Sequence, residues 1–76
     1  MKEVLEHIAR ALVDNPDAVE VTETDGDRGT TFQLRVDPED MGKVIGRGGR
    51  TAKAIRAVMK AAAIKSDARI RVEIVD

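Results

Sequence analysis

Three glycines fall within four residues at Gly46-Arg47-Gly48-Gly49, and the stretches on either side have helical spacing. Glycine loses the most backbone freedom on ordering, so such a cluster cannot continue a helix. The chain must break between two helices here. A glycine loop lets backbone N–H groups approach a ligand and tolerates positive φ. The helix that follows adds unpaired N–H groups and the positive end of its dipole, and Arg47 and Arg50 add mobile charge. This combination suits a phosphate or a phosphodiester backbone. Two nucleotide motifs fail on residues. A P-loop, G-x-x-x-x-G-K-[ST], is imitated at its end by Gly49-Arg50-Thr51, but its first glycine falls on Val44. The dinucleotide fingerprint G-x-G-x-x-G starts correctly at Gly46 and Gly48 but ends on Thr51, and its loop should follow a strand. A helix–helix turn that merely needs glycine remains the plain alternative.

The charge pattern bears on that choice. The formal net charge is −1 and the pI about 5.8, which at first argues against nucleic acid. Residues 1–40, however, carry a net −7 and residues 41–76 a net +6. Between Met41 and Ser66 stand seven cations (Lys43, Arg47, Arg50, Lys53, Arg56, Lys60 and Lys65) and no acid. Segregation of this kind marks a polyanion-binding face, although a solvated helix face also produces charge runs.

The 76 residues have room for one compact domain, expected to span 1–76, with a thin core that self-association could supplement. Cysteine is absent, which removes disulfides, thiolate metal sites and thiol nucleophiles. With no export signal and no apolar run of membrane-spanning length, the expected compartment is the cytoplasm. Periodicity predicts a helix over Lys2–Asp14 with Val4, Leu5, Ile8, Ala11 and Leu12 in one stripe, stopped by Asn15-Pro16. Val19 and Val21, then Phe32, Leu34 and Val36, alternate as two strands around the turn-forming Asp25-Gly26-Asp27-Arg28-Gly29, which predicts a hairpin. Asp37 caps and Pro38 opens a short helix carrying Met41, Val44 and Ile45. After the glycines a second helix runs from about Arg50 to Ile64. It has Ile55, Val58, Met59 and Ala62 on one side and Arg50, Lys53, Arg56 and Lys60 on the other. Ser66-Asp67-Ala68 breaks it, and Arg69–Val75 is a last strand. The fold class is α+β, in the order α-β-β-α-α-β: a three-stranded sheet packed against three helices.

Val44-Ile45-Gly46-Arg47-Gly48-Gly49-Arg50-Thr51-Ala52-Lys53-Ala54-Ile55-Arg56 resembles the signature of a KH domain, whose G-x-x-G loop clamps nucleic-acid backbone. The helix and strand that precede the core resemble the type II, bacterial arrangement. In size and in the run from Gly42 to Thr51 the chain is similar to the small bacterial single-KH proteins of the KhpA family. That resemblance implies single-stranded RNA as the partner, with Gly46–Gly49 on the phosphates of about four nucleotides. Arg47, Arg50, Lys43 and Lys53 would supply charge. Ile45, Ala52 and Ile55 are candidate walls of an apolar groove between the second helix and the sheet, Ile55 being the more ordinary core residue. The resemblance further implies an RNA chaperone or post-transcriptional regulator linked to cell shape and envelope synthesis. It also implies a homodimer, or a heterodimer with a larger Jag-type KH protein.

The chain has no Trp or Tyr, and Phe32 is patterned as core, so no aromatic platform is expected and sequence preference should be modest. His7, alone between Glu3 and Glu6, reads as a surface residue; Asp25 and Asp27 read as turn residues, because Gly29 occupies the third ligand position of a calcium loop. No cofactor, metal or catalytic residue is expected. Two other functions compete: an interaction adaptor in which the domain serves as a dimerisation subunit, and a helix-hairpin-helix module gripping duplex DNA. The three strand patterns argue against the latter.

Overall fold

The computed structural model describes residues 1–64 and 69–75. Its elements are α1 (Lys2–Leu12), β1 (Glu20–Gly26), β2 (Gly29–Arg35), α2 (Met41–Ile45), α3 (Arg50–Ile64) and β3 (Ile70–Val75). Single 3₁₀ turns at Pro16–Ala18, Pro38–Asp40 and Arg47–Gly49 link them. This is the α-β-β-α-α-β order of the expected α+β fold. Ser66-Asp67-Ala68, taken from sequence as the break after α3, lies outside the described residues.

β1 and β2 pair antiparallel from Glu20↔Arg35 to Gly26↔Gly29, which closes the expected hairpin on Asp27-Arg28. β3 then pairs with β2 in parallel, with Phe32 opposite Val72, so β2 is the central strand. Strand alternation sends Val21, Phe32, Leu34 and Val72 to one face. There they pack with Leu5 and Ala9 of α1, Val44 of α2, and Ile55 and Met59 of α3. The opposite face carries Glu20, Thr22, Gln33, Arg35 and Arg71, all exposed. One face of the sheet is therefore covered by helices, and the other is polar.

The helical stripes are rotated from their expected centres. On α1 the buried residues are Leu5 and Ala9; Ala11 is exposed, and Val4 and Leu12 are 40% and 38% exposed. The helix also ends at Leu12, two residues early, because Val13 is already extended ahead of Asn15-Pro16. On α3 the buried line is Ala52, Ile55, Met59 and Ala63, whereas Val58, expected inside, is 48% exposed and Ala62 only partly buried. Ile55 and Met59 form the middle of that line, with Ala52 and Ala63 at its ends, and Val58 lies outside it.

Candidate nucleic-acid interface

The site begins with how α2 is held. Asp37 accepts from the Glu39 N–H at 3.0 Å and from the Asn15 side-chain amide at 3.1 Å; the expected cap therefore forms, but on a 3₁₀ turn at Pro38–Asp40, and the α-helix begins only at Met41. Both bonds favour the ionised form, the backbone one most, and hold the Asp37 carboxyl below its ordinary pKa. Asp40, 3% exposed, is the one buried polar residue among those described. Its carboxylate accepts from the backbone N–H groups of Asp14 (3.3 Å) and Asn15 (3.0 Å), beyond the end of α1. The sequence showed Asp40 only as an acid near a helix start. Its anchoring role depends on a contact 25 residues away, which local pattern does not carry.

α2 ends at Gly46, whose φ of 75° and ψ of 171° turn the chain sharply. A Cβ at Gly46 would stand 2.3 Å from Thr51 Oγ1 and 2.9 Å from the Thr51 nitrogen, so this position excludes a side chain on space as well as on φ. Gly48 and Gly49 also have positive φ, 65° and 78°, but a Cβ there would meet open space. The loop is thus closed on its inner side and open on its outer side. Inside it, Gly49 N–H donates to the Gly46 carbonyl at 3.1 Å and Arg50 N–H to the Arg47 carbonyl. The N–H groups of Arg47 and Gly48 have no backbone acceptor among the described residues. They are donors left for a ligand or for water.

The basic side chains divide into two groups. Arg47, Arg50 and Lys53 are exposed and make no ion pair among the described residues. Lys43 differs: its ammonium contacts the Asp14 carboxylate and lies 3.6 Å from Asp40 Oδ1. The hydrogen bond to Asp14, with the charges of Asp14 and Asp40, raises its pKa. The Met41–Ser66 run is free of acid in sequence but not in space, since the fold brings two carboxylates from the acidic half to its first cation. Of the four cations expected at the loop, three stand free and Lys43 is engaged elsewhere.

The apolar groove residues also separate. Ile45 is 38% exposed beside the loop, whereas Ala52 and Ile55 are 5% and 3% exposed and belong to the α3 packing line. The cleft between α3 and β3, about 170 Å³, is lined instead by Arg56, Lys60, Ile70, Arg71 and Val72. Arg56 Nε donates to the Val72 carbonyl at 3.2 Å, which places its guanidinium along the outer edge of β3. Sequence reasoning put Arg56 and Lys60 on the basic face but not in a groove. Their place there follows from β3 pairing with β2 as an edge strand, which α3 periodicity does not reveal. Phe32, the single aromatic residue, is 2% exposed and offers no stacking surface.

Comparison with known proteins agrees with this geometry. The family model described as KhpA/KhpB, KH domain matches residues 2–74. A protein of Clostridium acetobutylicum named RNA-binding protein KhpA is 57% identical over 75 residues, covering 99% of this chain and all of that relative. Its namesake in Halalkalibacterium halodurans is 55% identical over 76 residues and covers both chains completely. The Aquifex aeolicus protein of the same name is 43% identical over the whole of this chain and 96% of its own. With the α-β-β-α-α-β order, the glycine loop between α2 and α3 and this identity along its length, the chain belongs to the KhpA family of KH-domain proteins.

Proposed function

We propose that this chain, as one KH domain over residues 1–76, binds single-stranded RNA through the phosphodiester backbone at Gly46–Gly49. The observation that carries the proposal is the pair of N–H groups on Arg47 and Gly48 without backbone acceptors, on the open side of the loop beside the free cations Arg47, Arg50 and Lys53. The names of the relatives, RNA-binding protein KhpA, support it. Backbone N–H groups and guanidinium groups suit phosphate oxygens at short range. The bases then lie toward the α3–β3 cleft, where Ile70 and Val72 offer aliphatic surface and Arg56, Lys60 and Arg71 offer charge. Ile45 flanks the entrance. Without an aromatic platform the bases are not stacked, so discrimination among sequences is modest and affinity is dominated by salt-sensitive contacts. This is a binding module, not a catalyst.

The biological role we propose is that of a cytoplasmic RNA chaperone or post-transcriptional regulator linked to cell shape and envelope synthesis, on the strength of the family resemblance. No described helix is long and apolar enough to cross a membrane.

Titration of fluorescent single-stranded RNA and duplex DNA against wild type and Arg47→Asp/Gly48→Asp tests the proposal. Asp is among the residues that tolerate positive φ, and the space at Gly48 is open, so the variant should fold. The expected result is at least a tenfold loss of RNA affinity and weaker binding of duplex DNA than of RNA by wild type. Unchanged RNA affinity would show the loop reading to be wrong.

A second reading, the adaptor, is favoured by the outward face of α3. Val58 is 48% exposed there, and Ala54 and Ala61 are exposed on the same side. That surface suits a second copy of this chain or a larger Jag-type KH protein. Partner binding with no measurable RNA affinity would favour it, and sedimentation reads the self-association directly.

A further inference from the structure

The end of the β1–β2 hairpin holds a concavity of about 500 Å³ that lies outside the glycine loop and the α3–β3 cleft. Arg28, Arg69 and Arg71 line it together with Thr24, Thr31 and Asp27. All three arginines are exposed, and none is in an ion pair among the described residues. Asp27 is the one acid among the described residues that line it, and the nearby Asp25 carboxylate, which keeps its charge, accepts from Thr30 Oγ1 at 2.8 Å. Three arginines and one aspartate are thus the charged residues among the described lining.

The arrangement is fixed by backbone. Thr30 N–H donates to the Arg69 carbonyl at 2.9 Å and ties the hairpin to the start of β3. Gly29 has φ of 121°, and a Cβ on it would stand 2.2 Å from that carbonyl oxygen, so the approach needs glycine. Arg28, in the turn before β2, and Arg69, just before β3, are thus brought near one another by this backbone contact. Moreover, Ile70 and Arg71 line both this concavity and the α3–β3 cleft, so the two adjoin at the start of β3.

We propose that the hairpin end is a second phosphodiester-binding site for the same RNA strand, taken up where the strand leaves the cleft. Arg28 and Arg69 hold its phosphates, Thr24 and Thr31 offer hydroxyl donors, and Arg71 bridges the two sites. The cationic track then runs from Arg47 along α3, about 15 Å from Arg50 to Lys60 at 1.5 Å per residue, and around the start of β3 to the hairpin. A strand longer than the four nucleotides of the loop site engages both ends. The inference rests on the RNA reading of the loop, and the experiment separates the two.

Single-stranded RNAs of 4 and 12 nucleotides, labelled with fluorescein, are titrated against wild type, Arg28→Gln/Arg69→Gln and the control Arg10→Gln/Arg35→Gln. The control removes two charges from other surfaces. Longer strands offer more registers, so the criterion is the ratio of each variant to wild type on the same RNA. The expected result is no change for the hairpin variant on the 4-mer. On the 12-mer it should show a loss of about fivefold, with a salt slope smaller by about 1.4 for two lost phosphate contacts. The control should match wild type on both. An unchanged 12-mer affinity, or an equal loss in the control, overturns the second site while leaving the loop reading intact. Failure of wild type to bind either RNA, or indifference of the 4-mer to Arg47→Asp/Gly48→Asp, removes the loop reading and this site with it.

Discussion

The molecule contains two Gly-x-x-Gly tetrads, Gly26-Asp27-Arg28-Gly29 in the hairpin and Gly46-Arg47-Gly48-Gly49 between helices. Each has one glycine wedged against neighbouring atoms, Gly29 on the Arg69 carbonyl and Gly46 on Thr51, and each leaves other positions in the tetrad open. They differ in what the backbone does next. The hairpin tetrad spends its turn on pairing two strands, with Gly26 opposite Gly29 in register. The helical tetrad leaves the Arg47 and Gly48 N–H groups outside any backbone bond and leads directly into α3. The same spacing thus gives a strand connector in one place and a pair of open donors in the other. What separates them is the secondary structure on their flanks.

The largest effects should come from the wedged glycines. Gly46→Ala and Gly29→Ala each combine positive φ with a clash under 2.5 Å, and should lower stability by on the order of 3 kcal/mol in urea denaturation. Gly48→Ala, which meets open space, should cost only about 1 kcal/mol. Equal losses at Gly46 and Gly48 would break the distinction between the closed and open sides of the loop.

The fastening of the helical tetrad is the next point of attack. Asp40→Ala leaves the N–H groups of Asp14 and Asn15 without their acceptor and should cost about 2 kcal/mol. Asp40→Asn, which keeps a carbonyl acceptor, should cost less. The same denaturation curves provide the comparison.

A smaller effect separates the cations around the loop. Arg47→Ala should weaken RNA binding severalfold and reduce the salt slope by about 0.7, the share of one phosphate contact on a single strand. Lys43→Ala should do less, because its ammonium is already engaged by Asp14 and Asp40. If Lys43 proved the more important of the two, the grouping of free and engaged cations would be reversed.

The smallest effects are those of pH on the same fastening. The folded Asp37 has a lowered pKa, so its contribution is present above the ordinary value of 3.8 and is lost as pH falls through the folded value. Lys43 is raised, so its contribution is present below 10.5 and fades as pH rises through its folded value. Asp37→Asn should flatten the acid limb of a stability–pH profile. Lys43→Met should flatten only the alkaline limb.

Much of this was legible in the sequence. The glycine run between two helical stretches located the loop, Asp37-Pro38 marked the start of the turn before α2, and alternation located the hairpin. These signals are local, spanning a few residues each. The features that escaped all depend on distant pairing. Lys43 was grouped with the loop cations because its partner Asp14 is 29 residues earlier. Asp40 shows in the sequence only as an acid near a helix start, because its acceptor role needs the end of α1. Ala52 was offered as a groove wall, but the close packing of α3 draws it inside, and the groove instead takes Arg56, Lys60 and Arg71 from either side of the β3 edge. Hydropathy also placed Val58 inside, whereas it is 48% exposed and the buried line runs through Ala52, Ile55, Met59 and Ala63.

Whether the open donors of the helical tetrad receive phosphate is read from amide ¹H–¹⁵N correlation spectra during titration with a four-nucleotide RNA. The Arg47 and Gly48 resonances are expected to shift first and furthest, with smaller changes at Arg56 and Val72 and none at Gly26–Gly29. Saturable RNA binding that leaves Arg47 and Gly48 unshifted, or that centres on Ala54, Val58 and Ala61, would contradict it.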